Sequence, residues 1–549
     1  MVSRALLSSL PTTSTTRVNT PETAASSVDR ILPFGRAALL VAISYYVGTR
    51  IGFTWTPAGQ PNSTFWPANA ILLAGLLLTP RKAWWMLFLA VLPAHMFAQL
   101  QSGVPVGTAL SWFVTNGSEA IIGAYCITRF TDSQKRFVTV RGVLIFVVFG
   151  VLFAPLATSF LDAGAVVLTG WGRHYWPLGM ERFWTNALAE LTIVPTIVLA
   201  GARGISWIRR TSRARLCEAV LLAIGTALVA FLVFGFEEWS LVSTPALLYV
   251  PLPFLLWAAA RFGLGGLSLS LLSLALISTW YTMHGQLPFP QASMQHNILS
   301  LQILFCVDAV PLMFLSAVMA EARRTQELLR TVSRSLMEAQ EQERARIGRE
   351  LHDDINQRLA MVAIELEQVQ DDHPEVRSRL QEIRQQTSEI SNDVQALSHD
   401  LHSSKLEYLG VVRGIKSWCE EFAERQRMEF DFNSDVSSVL PFELGTCLFR
   451  VLQEAVHNTV KHSGVKRIEV QLTEQSGEVH LIVRDSGTGF DVEAAMQRKG
   501  LGLTSMRERV RLVNGTIAID SKPMSGTRIH VRVPLESEHV ISEQLDEIM

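Results

Sequence analysis

The residues best suited to chemistry in this chain are a histidine flanked by acidic residues and, further on, polar residues set among glycine-rich turns. His352 lies in RARIGRELHDDINQRL, and EAVHNTVKHSGV, DSGTGFD, GLGLTSMRERV and SGTRI follow it in that order. Each pattern alone is a weak signal. Five short patterns in one order and at plausible spacings are hard to obtain by chance, and together they predict nucleotide-dependent chemistry at the histidine.

His352 has the neighbours that a nucleophile requires. It flanks the apolar stripe of a predicted helix, so its imidazole is expected to be exposed. Asp353 can orient the ring and accept a proton, as a base does when it activates a nucleophile in covalent catalysis. A lone helical histidine is usually a solvated surface residue, and only the neighbouring patterns favour the catalytic interpretation.

The second pattern carries three polar residues on one helical face. Glu454, Asn458 and Lys461 follow one another at steps of four and three residues. The amide oxygen of Asn458 is a ligand that a hard Mg²⁺ ion accepts. In isolation, the same spacing would indicate a polar surface stripe.

Two glycine-rich turns complete the predicted nucleotide site. DSGTGFD follows a predicted strand, so the backbone can turn tightly at Gly487 and Gly489 while Asp485 offers a carboxylate to an exocyclic amine. Gly500 and Gly502 precede a helix whose N-terminus can meet phosphate charge. No GxxxxGK[ST] sequence is present, so a P-loop is excluded as the nucleotide site.

The length and composition predict a membrane half and a soluble half. A chain of 549 residues exceeds what one hydrophobic core usually serves. Residues 34–320 are dominated by apolar runs, whereas the residues beyond 321 are rich in charged and amide side chains. The net charge of −2 offers no argument for nucleic acid, and we expect no direct nucleic-acid binding.

The first half contains ten apolar stretches, of which several reach the roughly 20 residues that cross a bilayer. They lie at 36–54, 64–80, 83–101, 105–128, 142–168, 183–202, 217–235, 244–260, 264–281 and 297–320. Three are short or broken by proline, so we expect about eight to ten membrane helices. Alternate loops carry the arginines and lysines, which favours an even number of spans and cytoplasmic termini.

Other polar and aromatic residues of this half allow two interpretations. Four carboxylates lie in or near the apolar stretches and either bind a ligand or ion or make helix-packing hydrogen bonds: Glu119, Asp162, Glu190 and Asp308. Seven tryptophans near the stretch ends are interpreted as interfacial anchors: Trp66, Trp84, Trp85, Trp112, Trp171, Trp176 and Trp184. The five scattered cysteines predict buried free thiols.

The segment after the last stretch predicts a helical hairpin. Its residues up to 370 are strong helix formers and should leave the membrane as one continuous helix, with an apolar stripe from Ile347 to Val369. A turn at 371–374 precedes a second helix with seven-residue periodicity from Val376 to Leu401. Two such hairpins would form a dimeric four-helix bundle.

The remaining boundaries complete a multidomain prediction: a polytopic α-helical membrane domain, a helical phosphoacceptor domain and an α+β sandwich. We expect a disordered tail at 1–33, the membrane domain at 34–320, a signalling helix at 321–340 and the dimerisation and phosphoacceptor domain at 341–405. A connector at 406–436, the sandwich domain at 437–536 and a C-terminal tail at 537–549 follow.

Three resemblances to known families follow from these residues. FWPANAILLAGLLLTPRKAWW resembles the integral membrane sensory domain MASE1. RELHDDINQRL resembles the HDxxxQ phosphoacceptor box of histidine kinases of the nitrate/nitrite-sensor type. The later patterns resemble the N box, the two glycine boxes and the terminal GT box of the ATPase fold shared by histidine kinases, gyrases, Hsp90 and mismatch-repair proteins, the GHKL type.

The phosphoacceptor resemblance implies roles for three residues. His352 would be phosphorylated, Asp353 would be its general base, and Gln357 would position water for dephosphorylation of a partner regulator. Asp354 and Asn356 are not pattern positions and are interpreted as solvated helix surface. Ser403 replaces the proline that often follows LH in this family, a departure that concerns helix termination.

The ATPase resemblance implies ATP and Mg²⁺ as cofactors and assigns the nucleotide site. Asn458 would coordinate Mg²⁺, with Glu454 supporting it. Lys461 and His462 would approach the phosphates. Asp485 would bind the adenine amine with help from Thr527, and the remaining positions would shape the pocket and its lid: Gly487, Gly489, Gly500 and Gly502.

Together the resemblances imply an ATP-dependent protein-histidine kinase of a two-component system. It would be a homodimer in the bacterial inner membrane with its kinase region in the cytoplasm, and would pass phosphate to a response regulator of DNA-binding type and also dephosphorylate it. The architecture also resembles the hexose-phosphate sensor kinases of enteric bacteria, which implies a possible membrane co-receptor. The alternatives are a transporter-like receptor with a catalytically silent kinase-like module, or a related ATPase that uses hydrolysis for conformational work.

Overall fold

The computed structural model divides the chain into two compact units, Met1–Thr325 and Gln326–Met549. It describes residues 27–57, 62–132, 136–170, 172–235, 244–286, 292–372, 377–401, 404–497 and 501–535. The first helix begins at Ser27, within the segment predicted as a disordered tail. The rest of that tail, residues 1–26, and the predicted C-terminal tail lie outside the described residues.

The first unit is helical. Its elements are α1 (Ser27–Thr54), α2 (Pro67–Leu78), α3 (Trp84–Gln101), α4 (Val106–Phe130), α5 (Val140–Ile145), α6 (Ala154–Leu168), α7 (Tyr175–Arg210), α8 (Arg213–Gly235), α9 (Thr244–Leu247), α10 (Leu252–Met283) and α11 (Met294–Glu350). A π-helical stretch, Phe146–Phe153, joins α5 to α6. Among the described residues, seven helices are long and apolar enough to cross a membrane.

Helix α10 changes direction at Gly263, whose φ of 68° and ψ of −160° are not helical. Just before this residue, Arg261 forms an ion pair with Glu218, which lies near the start of α8. The distance from Arg261 Nε to Glu218 Oε1 is 2.7 Å. At the far end of α10, Tyr281 packs against Gly235, at the end of α8. The limb after Gly263 therefore runs parallel to α8.

The limb before Gly263 runs the other way. Phe254 packs against Gly225 in the middle of α8, and the chain then proceeds towards the start of α8. The two apolar stretches predicted at 244–260 and 264–281 are thus opposite limbs of one assigned helix. Only glycine readily adopts the backbone conformation at the corner.

The interior of the first unit contains three of the four predicted carboxylates. Thr158 and Asn186 donate hydrogen bonds to Glu119 at 2.6 and 2.9 Å, and Arg182 forms an ion pair with Asp162. For Glu119 and Asp162 these bonds support the helix-packing interpretation. Glu190 is also fully buried, whereas Asp308 is half-buried.

The second unit begins within α11 and contains a helical hairpin. A five-residue π-turn, Leu351–Ile355, follows α11 directly and interrupts the continuous α-helix that was predicted. The hairpin consists of α12 (Asn356–Asp372) and α13 (Arg377–Leu401), which pack against each other. Residues 373 and 374 of the predicted turn lie outside the described residues.

Apolar side chains of the hairpin are exposed in the single chain. Several belong to the predicted stripes: Ile355, Val362, Ile383, Ile390 and Leu397. A row of exposed apolar residues at helical spacing is typical of a coiled-coil interface.

The rest of the second unit is an α+β sandwich. Its helices are α14 (Ser404–Leu409), α15 (Val411–Gln426), α16 (Phe442–Asn458), α17 (Val492–Gln497) and α18 (Leu501–Leu512). Its strands are β1 (Glu429–Asp435), β2 (Arg467–Gln475), β3 (Glu478–Asp485), β4 (Thr516–Ser521) and β5 (Thr527–Pro534). The sheet order is β1-β2-β3-β5-β4, and only the β1–β2 pair is parallel. The strands β2 and β3 form one antiparallel hairpin, and β4 and β5 form another.

The predicted connector at 406–436 was wrong, because this segment belongs to the sandwich. It holds part of α14, all of α15 and the edge strand β1. Ile415, Trp418 and Phe422 of α15 are buried in the same core as α16, α18 and the sheet. Removing these side chains from water stabilises the domain, so the connector cannot be separated from it.

The cysteines only partly follow the prediction of buried thiols. Cys306, Cys419 and Cys447 are buried, Cys126 is half-buried, and Cys217 is exposed. For Cys217 the prediction was wrong, because the apolar segment that carries it presents this residue on the surface of the unit. Burial raises the pKa of Cys419 and of Cys447 to about 12.

We expect N-ethylmaleimide to leave Cys419 and Cys447 unmodified in the folded protein. Both lack access and both lack thiolate at neutral pH, since the thiolate is the reactive species. Mass spectrometry of peptides from native and urea-unfolded protein measures the modification, and unfolding should expose both sites. Rapid modification of either residue in the native protein would contradict the packing of α15 and α16.

Candidate nucleotide and phosphoacceptor sites

A cavity of about 380 Å³ in the sandwich domain brings together most of the predicted nucleotide-site residues. It lies among α16, the turn after it, the end of β3, α18 and β5. Its lining includes seven of the predicted positions: Glu454, Asn458, His462, Asp485, Gly489, Gly502 and Thr527. This volume lies within the range of pockets for small molecules and cofactors.

The loop after β3 forms one wall and is held between two backbone segments. On one side, the Thr488 amide donates to the Ser463 carbonyl at 3.1 Å. On the other side, the Gly526 amide donates to the Gly487 carbonyl at 3.0 Å and the Met524 amide to the Thr488 carbonyl at 2.6 Å. Backbone groups therefore set the path of this loop.

The close approach of these backbone segments to the loop explains why glycine occupies two of the predicted positions. A Cβ atom at Gly487 would overlap the backbone of Ser463. A Cβ atom at Gly489, whose φ is 55°, would overlap the carbonyl groups of Lys522 and Gly526. Both positions require glycine because neighbouring backbone occupies the space of a side chain.

Asp485 is held in one orientation at the pocket wall. Its Oδ1 accepts from the Gly487 amide at 2.9 Å, and its Oδ2 accepts from the Thr459 hydroxyl at 3.3 Å. Each carboxylate oxygen can accept a further hydrogen bond. The geometry therefore presents a fixed acceptor beside the apolar side chains of Val483 and Ile529, which also line the cavity.

Asn458 and Glu454 lie one helical turn apart on the pocket side of α16. The Asn458 amide nitrogen donates to Glu454 Oε1 at 3.3 Å, which leaves the amide oxygen outside this bond. Among the described residues no group of three or more acidic, histidine or cysteine side chains is placed to hold a metal. Magnesium in nucleotide sites usually takes only one or two protein ligands together with substrate phosphates and water, so Asn458 with Glu454 fits such an ion.

Three predicted positions are not in the lining. Lys461 is exposed in the π-turn that follows α16, Thr459–Ser463, next to the lining residue His462. Gly487 shapes the wall without lining it. Gly500 lies outside the described residues.

His352 lies in the π-turn between α11 and α12. Its side chain is 58% exposed, and its Nδ1 lies 2.9 Å from Asp353 Oδ1. A proton on Nδ1 is held by this carboxylate, and Nε2 is then the nitrogen with a free lone pair. The neighbouring Asp354 instead pairs with Arg358, and Gln357 is exposed.

Arg450 is a buried residue that the sequence reasoning missed. It is 4% exposed and bonds Glu341 of α11 through Nε at 2.6 Å and the Leu401 carbonyl of α13 at 2.9 Å. Burial lowers the pKa of Arg450, and Glu341 opposes this change. The guanidinium therefore ties α16, which carries Glu454 and Asn458, to two helices of the phosphoacceptor region.

The residues that sequence reasoning missed differ in whether the sequence contained a signal for them. Arg450 interrupts the apolar run TCLFRVLQEAV, and a charge inside such a run is a signal for a buried partner. Thr459 and Thr488 left no trace, because their roles depend on contacts with segments distant in sequence.

We expect Gly489→Asn to weaken ATP binding about ten- to hundredfold, because overpacking costs roughly 1–3 kcal/mol. Gly477→Asn is the matched control: its φ is 80°, and a Cβ atom there meets nothing. Asparagine tolerates positive φ at both sites, so the difference isolates the steric overlap. Titration with a fluorescent ATP analogue measures it, and equal affinities in the two variants would contradict the close approach.

Comparisons with known proteins assign families to the three parts of the chain. Residues 37–323 match MASE1, residues 343–406 match a family described as histidine kinase, and residues 445–537 match the histidine kinase-, DNA gyrase B- and HSP90-like ATPase family. A curated relative, the sensor histidine kinase MctS of Rhizobium johnstonii, is 29% identical over 233 residues. The match covers 41% of this chain and half of that relative's length.

Two solved structures are also similar. One is a histidine kinase domain from a blue-light activated histidine kinase of Erythrobacter litoralis, at 18% identity and a TM-score of 0.23, covering 33% of this chain and 94% of that one. The other is the Acinetobacter baumannii histidine kinase AdeS, at 16% identity and a TM-score of 0.21, covering 32% of this chain and 96% of that one. Since the MASE1 match alone covers more than half of the sequence, the chain belongs to the MASE1 family, and in it a histidine kinase domain and an ATPase domain follow the membrane sensor domain.

Proposed function

We propose that this protein is a membrane-bound sensor kinase that transfers the γ-phosphoryl group of ATP to His352 and then to an aspartate of a response regulator. The observation that carries the proposal is the state of His352. Its ring is exposed and its Nδ1 is bound to a carboxylate, in a chain that also holds a nucleotide cavity. An exposed histidine with one nitrogen anchored has its other nitrogen available for attack.

In the proposed reaction one covalent bond forms between the protein and the phosphoryl group, and one bond of ATP breaks. Nε2 of His352 attacks the γ-phosphorus, the bond to the β,γ-bridging oxygen breaks, and ADP leaves with that electron pair. The proton on Nδ1 stays hydrogen-bonded to Asp353, which stabilises the positive charge that develops on the ring. Asp353 is therefore proposed as the base that sets the tautomer.

The nucleotide site is proposed to act mainly by positioning. Asp485 accepts from the exocyclic amine of adenine, while Lys461 and His462 neutralise phosphate charge. Mg²⁺ held by Asn458 and Glu454 would neutralise charge on the phosphates during transfer. Gly487 and Gly489 let the loop after β3 pass between neighbouring backbone segments, and this path places Asp485 at the pocket wall.

Gln357 is proposed to serve the reverse reaction. It is exposed in the first turn of α12, five residues after His352. Its amide can orient a water molecule for attack on the phosphoaspartate of the regulator, which would then be dephosphorylated. The regulator is proposed to be of DNA-binding type.

The protein is proposed to be a homodimer in the bacterial inner membrane with the kinase region in the cytoplasm. Arg81 lies beside the end of α4, and Arg261 lies at the corner of α10 beside the start of α8. The positive-inside rule would place both arginines on the cytoplasmic side. A membrane co-receptor is a further possibility that the sensor architecture allows.

The alternative, a receptor with a catalytically silent module, is disfavoured by the intact His352, Asp353, Asn458 and Asp485. We expect Asp353→Asn to slow autophosphorylation about a hundredfold, because a hydrogen bond to a charged group is worth up to roughly 3 kcal/mol. Asp354→Asn is the control, since this exposed neighbour pairs with Arg358 rather than with His352. The measurement is incorporation of γ-labelled phosphate into the reconstituted protein.

The chemical stability of the label tests the acceptor. Label that is lost in acid, kept in alkali and absent from His352→Gln and Asn458→Ala would support a phosphohistidine. Bound ATP without any label in the native protein would favour the silent receptor. Equal rates for the two aspartate variants would remove Asp353 from the mechanism.

We expect Ile390→Asp to shift the protein from dimer towards monomer. Ile390 is 53% exposed on α13 in the single chain, and a charge there opposes burial between two hairpins. Asn392→Asp, at an exposed polar position of the same helix, is the control. Mass photometry of detergent-solubilised protein reports the two masses, and an unchanged dimer in Ile390→Asp would place the interface elsewhere.

A further inference from the structure

A small polar cavity lies in the first unit, where α1 ends and α7 and α11 begin. It has a volume of about 40 Å³ and is lined mainly by residues of α1, α4, α7 and the segment after α1. A second cavity of about 30 Å³ shares three lining residues with it: Asn62, Ser63 and Thr185. Nothing in the phosphotransfer chemistry uses this region.

Three lining side chains have buried polar atoms without a partner among the described residues. They are Nε1 of Trp112, Nε of Arg182 and Oδ1 of Asn62. Trp112 and Asn62 are 5% and 7% exposed. Buried polar atoms nearly always have a hydrogen-bond partner, because an unmade bond costs free energy. Three such atoms around one cavity indicate a missing occupant.

The charge and shape of the cavity specify the chemistry of that occupant. Among the described lining residues, Arg182 alone is charged. Its Nη1 pairs with Asp162, whereas its Nε has no hydrogen-bond partner among the described residues. The guanidinium carbon lies 5.1 Å from the ring centre of Trp112. Two N–H donors, one of them cationic, suit oxyanion oxygens. The asparagine oxygen suits a hydroxyl group or a water bound beside it.

The size of the cavity sets a limit. One water needs roughly 10–15 Å³ of such volume, so this space admits only a few non-hydrogen atoms. A sugar or a nucleotide does not fit. A short carboxylate or an inorganic anion of similar planar shape does.

We propose that this cavity binds a compact planar oxyanion through Nε1 of Trp112 and Nε of Arg182. Trp112 had been interpreted as an interfacial anchor, and its burial overturns that interpretation.

A bound anion would contact residues of α7 that are hydrogen-bonded to two other helices, α4 and α11. Asn186 lines the cavity and donates to Glu119 at 2.9 Å. Thr185 lines both cavities and accepts from Gln302 of α11 at 3.0 Å. Helix α11 ends at Glu350, two residues before His352. A sensory role for the anion rests on the proposed function, whereas binding itself does not.

The test measures thermal unfolding of the full chain in lipid nanodiscs with sodium acetate, sodium bicarbonate or sodium chloride at equal ionic strength. We expect acetate or bicarbonate to raise the melting temperature over chloride at roughly millimolar concentrations, since so few atoms make few contacts. A response to acetate would identify an organic carboxylate as the ligand, and a response to bicarbonate would identify an inorganic anion. No rise over chloride in either arm overturns the proposal.

Variants localise the effect. Trp112→Phe removes the indole N–H and keeps an aromatic ring, and we expect about tenfold weaker binding from the loss of one hydrogen bond. Trp176→Phe makes the same change at an exposed site and should bind as the native protein does. Equal binding in these two variants overturns the proposed site.

A second variant covers the case in which Trp112→Phe does not fold. Asp162→Asn combined with Arg182→Gln removes both charges of the ion pair together, so no charge is left buried alone. It should abolish the response to the anion, and a retained response overturns the proposal. Anion binding without any phosphohistidine would refute the proposed kinase activity alone, and phosphohistidine without anion binding would refute this inference alone.

Discussion

The nucleotide pocket depends on a loop that has backbone on both sides. Ser463 lies against one side of the Asp485–Phe490 loop, and the turn before β5 lies against the other, with no space for a Cβ atom at Gly487 or Gly489. The same loop directs the Asp485 carboxylate into the cavity. The π-turn after α16, the β4–β5 hairpin and the Asp485 carboxylate are therefore connected through this loop.

A second constraint is the buried charge of Arg450, which joins the sandwich to the helices that carry the phosphoacceptor. A guanidinium inside a core is tolerated only with its hydrogen bonds satisfied. Here Glu341 and the carbonyl of Leu401 supply them. Movement of the sandwich away from these helices would break the hydrogen bonds of Arg450 to Glu341 and to the Leu401 carbonyl.

The sequence predicted the order of the domains and most of the pocket, because short motifs and hydrophobic periodicity are local properties. The predictions from sequence failed where the structure depends on contacts between residues that are distant in sequence. Residues 406–436 were predicted as a connector although Ile415, Trp418 and Phe422 follow helical spacing, since nothing local shows that β1 joins the sheet beside β2. Thr459 was missed because its partner Asp485 is 26 residues away. Trp112 was misplaced because composition cannot distinguish a tryptophan facing lipid from one facing an arginine.

Gly263 shows how much can depend on a residue without a side chain. Its backbone angles turn α10 back on itself, so the chain passes along α8 twice in opposite directions. A helix that ran straight through this position would merge two passages into one. The direction in which the chain leaves α10 on its way to α11 is thus set by the conformational freedom of one α-carbon.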